Sequence, residues 1–111
     1  MVKLPNSHDA VVDVRKLRNY CLSLHHPRGR HKARVFASAL GLTAEDAEEL
    51  REALLSAALS EEAISTESDE YGERYVLDFE MKTDARTATI RSGWIVRCGE
   101  GFPRFTTCWV L

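Results

Sequence analysis

Residues 14–44 contain no aspartate or glutamate. Cysteine is also scarce: the chain of 111 residues has three, without the close spacing of a disulfide framework or a zinc site. Reduced thiols of this kind are typical of cytoplasmic proteins. No apolar run approaches the roughly 18 residues that a membrane helix needs, and the chain does not start with the apolar segment of a signal peptide. We therefore expect a cytoplasmic protein that forms a single domain over residues 1–111.

The charged residues are segregated along the chain. Residues 14–44 carry seven lysines and arginines, whereas residues 45–80 carry 13 acids and two arginines. The formal net charge of −2 conceals this separation. Such asymmetry predicts one anion-facing surface on an otherwise acidic body. Whether the acidic segment serves solubility or the docking of a partner is left open.

Helical spacing of apolar residues predicts a helical part over about residues 9–59. Asp13 is placed to cap the first helix, Gly41 to end the second, and Thr43 with Asp46 to form a capping box before the third. His26-Pro27 is expected to separate the first two helices. The predicted helices run over residues 13–22, from residue 29 or 30 to residue 40, and over residues 43–59.

The period of the apolar pattern changes to two in the last third of the chain. Residues 60–72 are acidic and rich in serine, and we interpret them as a solvated loop. A sheet follows over about residues 73–111. Its predicted strands are residues 75–81, 88–96 and 105–111, joined by turns at 83–85 and 99–103. The predicted fold class is α+β, with two to three N-terminal helices packed on one face of a C-terminal three- to four-stranded antiparallel meander sheet.

Residues 25–34 combine three histidines with four cationic side chains. Arg28, His31 and Lys32 share one face at the start of the predicted second helix, where free backbone N–H groups attract anions. Arginine grips phosphate with two hydrogen bonds, and histidine moves protons near neutral pH. The combination predicts a phosphate site. The alternative is a solvated helix start whose histidines pack or cap.

The predicted strands offer partners for this cluster. Arg91 alternates with Thr89 on one strand, and Thr107 shares a face with Trp109 on the last. An arginine beside hydroxyl groups would hold a phosphate oxygen, and a tryptophan would stack on a base. Core packing is the simpler interpretation of both Trp94 and Trp109.

Metal chemistry is not expected, because no acid or cysteine completes a familiar ligand spacing with the three histidines. No phosphate-binding glycine loop is present either. We therefore expect neither a metal nor a cofactor. A nucleophilic pair of Cys21 with His25 stays open as a minor alternative.

Segments along nearly the whole chain carry a further resemblance. The matching segments are residues 4–6, 26–36, 40–47, 72–79, 94–97 and 103–111. On these segments the sequence resembles domain-of-unknown-function family six-eight-eight-three, whose small domains have no assigned activity.

A more distant resemblance is architectural. Helices with a His-Lys-Ala motif, followed by a meander that ends in a threonine and an aromatic residue, are similar to toxin ribonucleases of the barnase–EndoU–colicin–RelE group. The resemblance implies cleavage of RNA without metal, in the cytoplasm of the cell or of a target cell reached by a toxin tip domain. It also implies a cognate antitoxin or immunity protein as partner.

Residue roles follow from this second resemblance. His31 would be the general acid or base, and Lys32 or Arg28 would stabilise the phosphorane. The implied catalytic set is His31, Lys32, Arg28, Arg91 and Thr107, and the implied substrate-binding set is His26, Arg34 and Trp109. We expect a metal-independent endoribonuclease of bacterial toxin type. The alternatives are a non-catalytic binding module (an antitoxin, an immunity-type partner or an RNA-binding accessory domain) and a small structural domain that docks on an acidic partner.

Overall fold

The computed structural model describes residues 2–84 and 86–111, in which helices come first and a sheet follows. The helices are α1 (Val14–Lys16, continued by the π-helical stretch Leu17–Cys21), α2 (Arg30–Leu40) and α3 (Ala47–Ser60). The strands are β1 (Ile64–Asp69), β2 (Gly72–Lys82), β3 (Thr87–Arg97) and β4 (Pro103–Val110). They pair in the order β1-β2-β3-β4, each antiparallel to the next. The predicted α+β class and the meander are confirmed.

One core joins the helices to a single face of the sheet. The buried residues of β2 alternate along the strand, as the pleat requires when only one face is covered. The largest fully buried side chains include Leu17, Phe36, Leu50, Leu54, Leu77, Ile90, Trp94 and Phe105. Trp94 is therefore a core residue, and its indole N–H donates to Ser92 Oγ at 2.9 Å. No helix within the described part of the chain is long and apolar enough to cross a membrane.

The predicted helix boundaries are largely confirmed, because they depend on local capping. The Asp13 carboxylate accepts from the Arg15 backbone N–H at 3.0 Å, and Gly41 ends α2 with a left-handed φ of 71°. Thr43 and Asp46 form the expected capping box. This box caps a short 3₁₀ turn, Ala44–Asp46, that leads directly into α3.

The interpretation of residues 60–72 as a loop is wrong, because Ile64–Asp69 forms β1. All six of its residues are exposed, and Ile64 is the one apolar residue among them. The segment therefore lacks the apolar alternation from which a strand is predicted. Backbone pairing to β2 holds it instead. This pairing reaches only as far as Val76, so residues 77–82 of β2 have no strand neighbour on that side within the described residues.

A β-bulge in β4 sets the positions of its polar residues. Phe105 pairs with Trp94 and Thr107 with Gly93, so Thr106 is the extra residue. The bulge therefore interrupts the predicted alternation of buried and exposed residues from residue 105 to residue 111. After Phe105, the next buried residue of β4 is Cys108. The turn at 99–103 is found where predicted. The other predicted turn includes Ala85, which lies outside the described residues.

Candidate functional site

The imidazole of His26 closes the start of α2. Its Nδ1 accepts hydrogen bonds from the backbone N–H groups of Arg28 and Gly29, both at 3.1 Å. Its ring packs against Tyr20, with 4.6 Å between the ring centroids. The backbone N–H groups of Arg28 and Gly29 are therefore not free, contrary to the expectation from the sequence. Of the two ring nitrogens of His26, Nδ1 accepts these hydrogen bonds, which leaves Nε2 for a ligand.

Gly29 allows this turn to lie directly against the end of α1. A Cβ atom at Gly29 would stand 2.4 Å from the carbonyl oxygen of Tyr20. Its φ of −89° is open to any residue, so the requirement for glycine comes from the close approach alone. The sequence pattern predicts a helix start rich in basic residues. The close approach of Gly29 to Tyr20 places that start against the end of α1.

The basic segment has almost no acidic partners. Within the part of the chain that the structure describes, Arg15 is the one cation of residues 14–44 that forms an ion pair, with Asp13. Elsewhere, most arginines of the described chain pair with carboxylates: Arg51, Arg74, Arg91 and Arg104. The uncompensated charge is therefore concentrated around α2.

The side chains at the start of α2 lie mainly in solvent. Arg28, His31 and Arg34 are exposed, and the buried residues of the helix are Ala33, Phe36 and Leu40. On a helix with 3.6 residues per turn, His31 points away from that buried side. His31 is thus accessible, as a proton-transfer role requires.

Lys32 and Thr107 line one cavity at the junction of α1, α2 and β4. The cavity has a volume of about 370 Å³, and its lining residues are Lys16, Tyr20, Cys21, Lys32, Thr106 and Thr107. Lys16 Nζ donates to the carbonyl oxygen of Phe105 at 3.1 Å. Two lysines thus line the cavity, and none of its lining residues is acidic.

The ammonium group of Lys32 also lies over the indole of Trp109, 4.6 Å from the ring centroid. Trp109 is half-buried, which leaves part of the ring accessible. The hydroxyl of Thr107 is buried and has no hydrogen-bond partner in the described structure. The fold therefore brings Lys32, Thr107 and Trp109 together from distant parts of the sequence.

Arg91 is held elsewhere. Its Nε and Nη2 donate to the two carboxylate oxygens of Asp78, each at 2.8 Å. This arginine holds the pKa of Asp78 below its usual value of 3.8. Arg91 lies opposite Trp109 in the sheet register but does not line the cavity, and its charge is compensated by Asp78.

The cysteine contacts were not evident from the sequence. The Cys108 thiol hydrogen-bonds that of Cys21 and, with a further contribution from Lys32, lowers the pKa of Cys21 to about 7 against the effect of burial. The same hydrogen bond and burial raise the pKa of Cys108 well above its ordinary value. Cys21 is thus partnered by Cys108, while His25 is exposed and donates its backbone N–H to Ser23 Oγ at 3.2 Å.

Comparison with protein families gives one result for this chain. The model of a family described as "Domain of unknown function (DUF6883)" matches residues 3–111. The chain belongs to this family. The first resemblance drawn from the sequence is therefore confirmed, and the description of the family names no activity. Curated proteins and solved structures give no match, and the distant resemblance to toxin ribonucleases is not confirmed.

Proposed function

We propose that this protein binds RNA through a surface that we call the basic surface, formed by Lys16, Lys32, Thr107 and Trp109. The observation that carries the proposal is the Lys32–Trp109 contact beside a cavity that has no acidic lining. Ammonium groups attract the phosphate backbone, and an aromatic ring offers a platform for a base.

The uncompensated charge supports the same proposal. Cations that already pair with carboxylates must give up those contacts to bind phosphate, as Arg91 would have to leave Asp78. The cations of α2 have no such contacts to lose within the described residues. We further propose that binding takes place in the cytoplasm, either of the cell itself or of a target cell.

Endoribonuclease activity is the second candidate, and the exposure of His31 favours it. Attack by a ribose 2′-hydroxyl requires a group that accepts its proton and a cation that stabilises the phosphorane. His31 and Lys32 supply these two types of group. As neighbours on a helix, however, they point about 100° apart, so both must reach one phosphate from different directions. RNA binding has no such geometric requirement, and for that reason we place it first.

RNA binding is tested by fluorescence anisotropy with a labelled single-stranded RNA over a range of salt concentrations. The affinity is expected to fall linearly with salt on logarithmic axes. Lys32→Ala is expected to weaken binding several-fold and to reduce the magnitude of the salt slope by about one. Lys82→Ala is the matched control, because Lys82 lies on β2 beside Glu49 and Glu80. Equal losses in the two variants, or no binding at low salt, would contradict the proposal.

Cleavage is tested by incubation of the same RNA with the protein in EDTA. A ribonuclease is expected to lose about 10²- to 10⁴-fold in rate on His31→Ala. His25→Ala is the control, because His25 is exposed but lies before the helix start. RNA that is bound but stays intact identifies a binding module. Cleavage that depends on His31 makes a cognate antitoxin or immunity protein the expected protein partner.

A further inference from the structure

Two cysteines that are far apart in the sequence lie side by side in the core. Cys21 ends the π-helical stretch after α1, and Cys108 lies in β4. Both are free cysteines of one buried cluster, with exposures of 1% for Cys21 and 0% for Cys108, and the two thiols interact with each other. Two neighbouring thiols of one core are candidates for a disulfide, which forms only between cysteines that lie close together.

The two cysteines differ in their access to solvent. Cys21 lines the cavity of about 370 Å³, whereas Cys108 does not. A cavity of this size admits a small hydroperoxide, which can therefore meet the Cys21 sulfur first. Lys32, which also lines the cavity, stabilises a negative charge on that sulfur.

We propose that Cys21 and Cys108 form an oxidisable pair, in which a hydroperoxide that enters the cavity converts the two thiols into a disulfide. The inference rests on the contact and the cavity, and it stands independently of RNA binding.

The chemistry follows from the positions of the two sulfurs. The Cys21 thiolate attacks one oxygen of the hydroperoxide, the O–O bond breaks, and the departing oxygen leaves as water or an alcohol after taking up a proton. Cys21 is now a sulfenic acid. The Cys108 sulfur then attacks the Cys21 sulfur, the S–O bond breaks, and hydroxide leaves as water with the thiol proton of Cys108. The two sulfurs are oxidised, and the peroxide oxygens are reduced.

The lowered pKa of Cys21 favours its thiolate form, which suits the attacking role. The raised pKa of Cys108 keeps it a thiol until the second step. Cys98 provides an internal comparison. It is exposed, and its thiol donates to the Glu70 carbonyl oxygen at 3.3 Å, whereas Cys21 and Cys108 are both buried.

The experiment exposes the reduced full chain to an equimolar amount of hydrogen peroxide. Remaining thiols are then alkylated under denaturing conditions, and the protein is analysed by intact and peptide mass spectrometry. We expect one alkylated cysteine, Cys98, and a crosslinked peptide pair that contains Cys21 and Cys108. Reduction with dithiothreitol is expected to restore all three thiols.

Three variants identify the roles. Cys98→Ser is expected to form the disulfide as the wild type does. Cys108→Ser is expected to accumulate a sulfenic acid on Cys21 that dimedone traps, and Cys21→Ser is expected to leave Cys108 reduced. Circular dichroism checks that each variant is folded, and the alanine variants replace the serine variants if serine unfolds the core. Oxidation at Cys98 alone, a disulfide that includes Cys98, or three unreacted thiols in the wild type would overturn the proposal.

Discussion

Lys32 and Trp109 join α2 to the edge strand β4 through a cation–π contact, with 4.6 Å between Nζ and the ring centroid. The contact holds a lysine and an aromatic ring of the basic surface in a fixed relation. Lys32 also lines the cavity, so the same side chain links the aromatic ring to the site proposed for RNA. The pair therefore has consequences for stability as well as for binding.

A double-mutant cycle is expected to show this coupling. Lys32→Ala and Trp109→Ala should each lower the free energy of unfolding, and the coupling energy between them should be about 0.5–1 kcal/mol for a partly exposed pair. Urea denaturation of the two single variants and the double variant measures it. Arg34→Ala serves as the control, because Arg34 is an exposed cation of the same helix that does not line the cavity. Strict additivity of Lys32→Ala and Trp109→Ala would contradict the assignment.

The hydrogen bonds from Arg28 and Gly29 to His26 Nδ1 are expected to stabilise the fold as a side-chain cap does. His26→Ala should lower the free energy of unfolding by about 1 kcal/mol. His26→Asn places an amide oxygen where Nδ1 stands and should recover most of that loss. Chemical denaturation compares the three proteins. Equal destabilisation by alanine and asparagine would show that the packing of the ring on Tyr20, and not the cap, is responsible.

Gly29→Ala is expected to be far more damaging than Gly41→Ala. A Cβ at Gly29 meets the backbone oxygen of Tyr20 at 2.4 Å, so the end of α1 or the start of α2 must move. Gly41 has open space around it, and alanine there is penalised by its left-handed φ of 71°, by about 1 kcal/mol. Thermal unfolding ranks the two variants, and a near-neutral Gly29→Ala would contradict the close approach of the two helices.

The Asp78–Arg91 ion pair should contribute a small, pH-dependent stabilisation. The folded-state pKa of Asp78 lies below its usual value of 3.8, so the contribution is complete above that value and is lost as the pH falls through the folded pKa. Both side chains are more than a third exposed, so screening by solvent keeps the effect small. The stability difference between wild type and Asp78→Asn, measured by urea denaturation from pH 7 to pH 2, should shrink only in the acidic range.

Arg91→Ala should leave RNA affinity within about twofold of wild type, because the charge of Arg91 is already compensated by Asp78.

The sequence predicted those parts of the fold that depend on neighbours along the chain. Asp13, Gly41 and the Thr43–Asp46 box act within a few residues, so pattern and cap chemistry were sufficient to place them. Strand β1 was missed because its stability comes from backbone pairing with β2, while all its side chains lie in solvent. A segment of this kind has no signal in its own composition.

The candidate site was predicted in part, for a related reason. Lys32, Thr107 and Trp109 were named from residue chemistry, and the fold brings them together. The carboxylate partner of Arg91 depends on the register of β2 with β3, and the contact of Cys21 with Cys108 depends on how α1 packs on β4. Neither relation follows from spacing along the chain.

The short reach of β1 has a further consequence for how copies of this protein behave at high concentration. A strand edge with unpaired backbone groups is a template on which other chains can add. Along the uncovered part of β2, the exposed residues are Asp78, Glu80 and Lys82, all of them charged. Desolvation of these side chains opposes the addition of a second strand, so this charged edge is expected to resist aggregation.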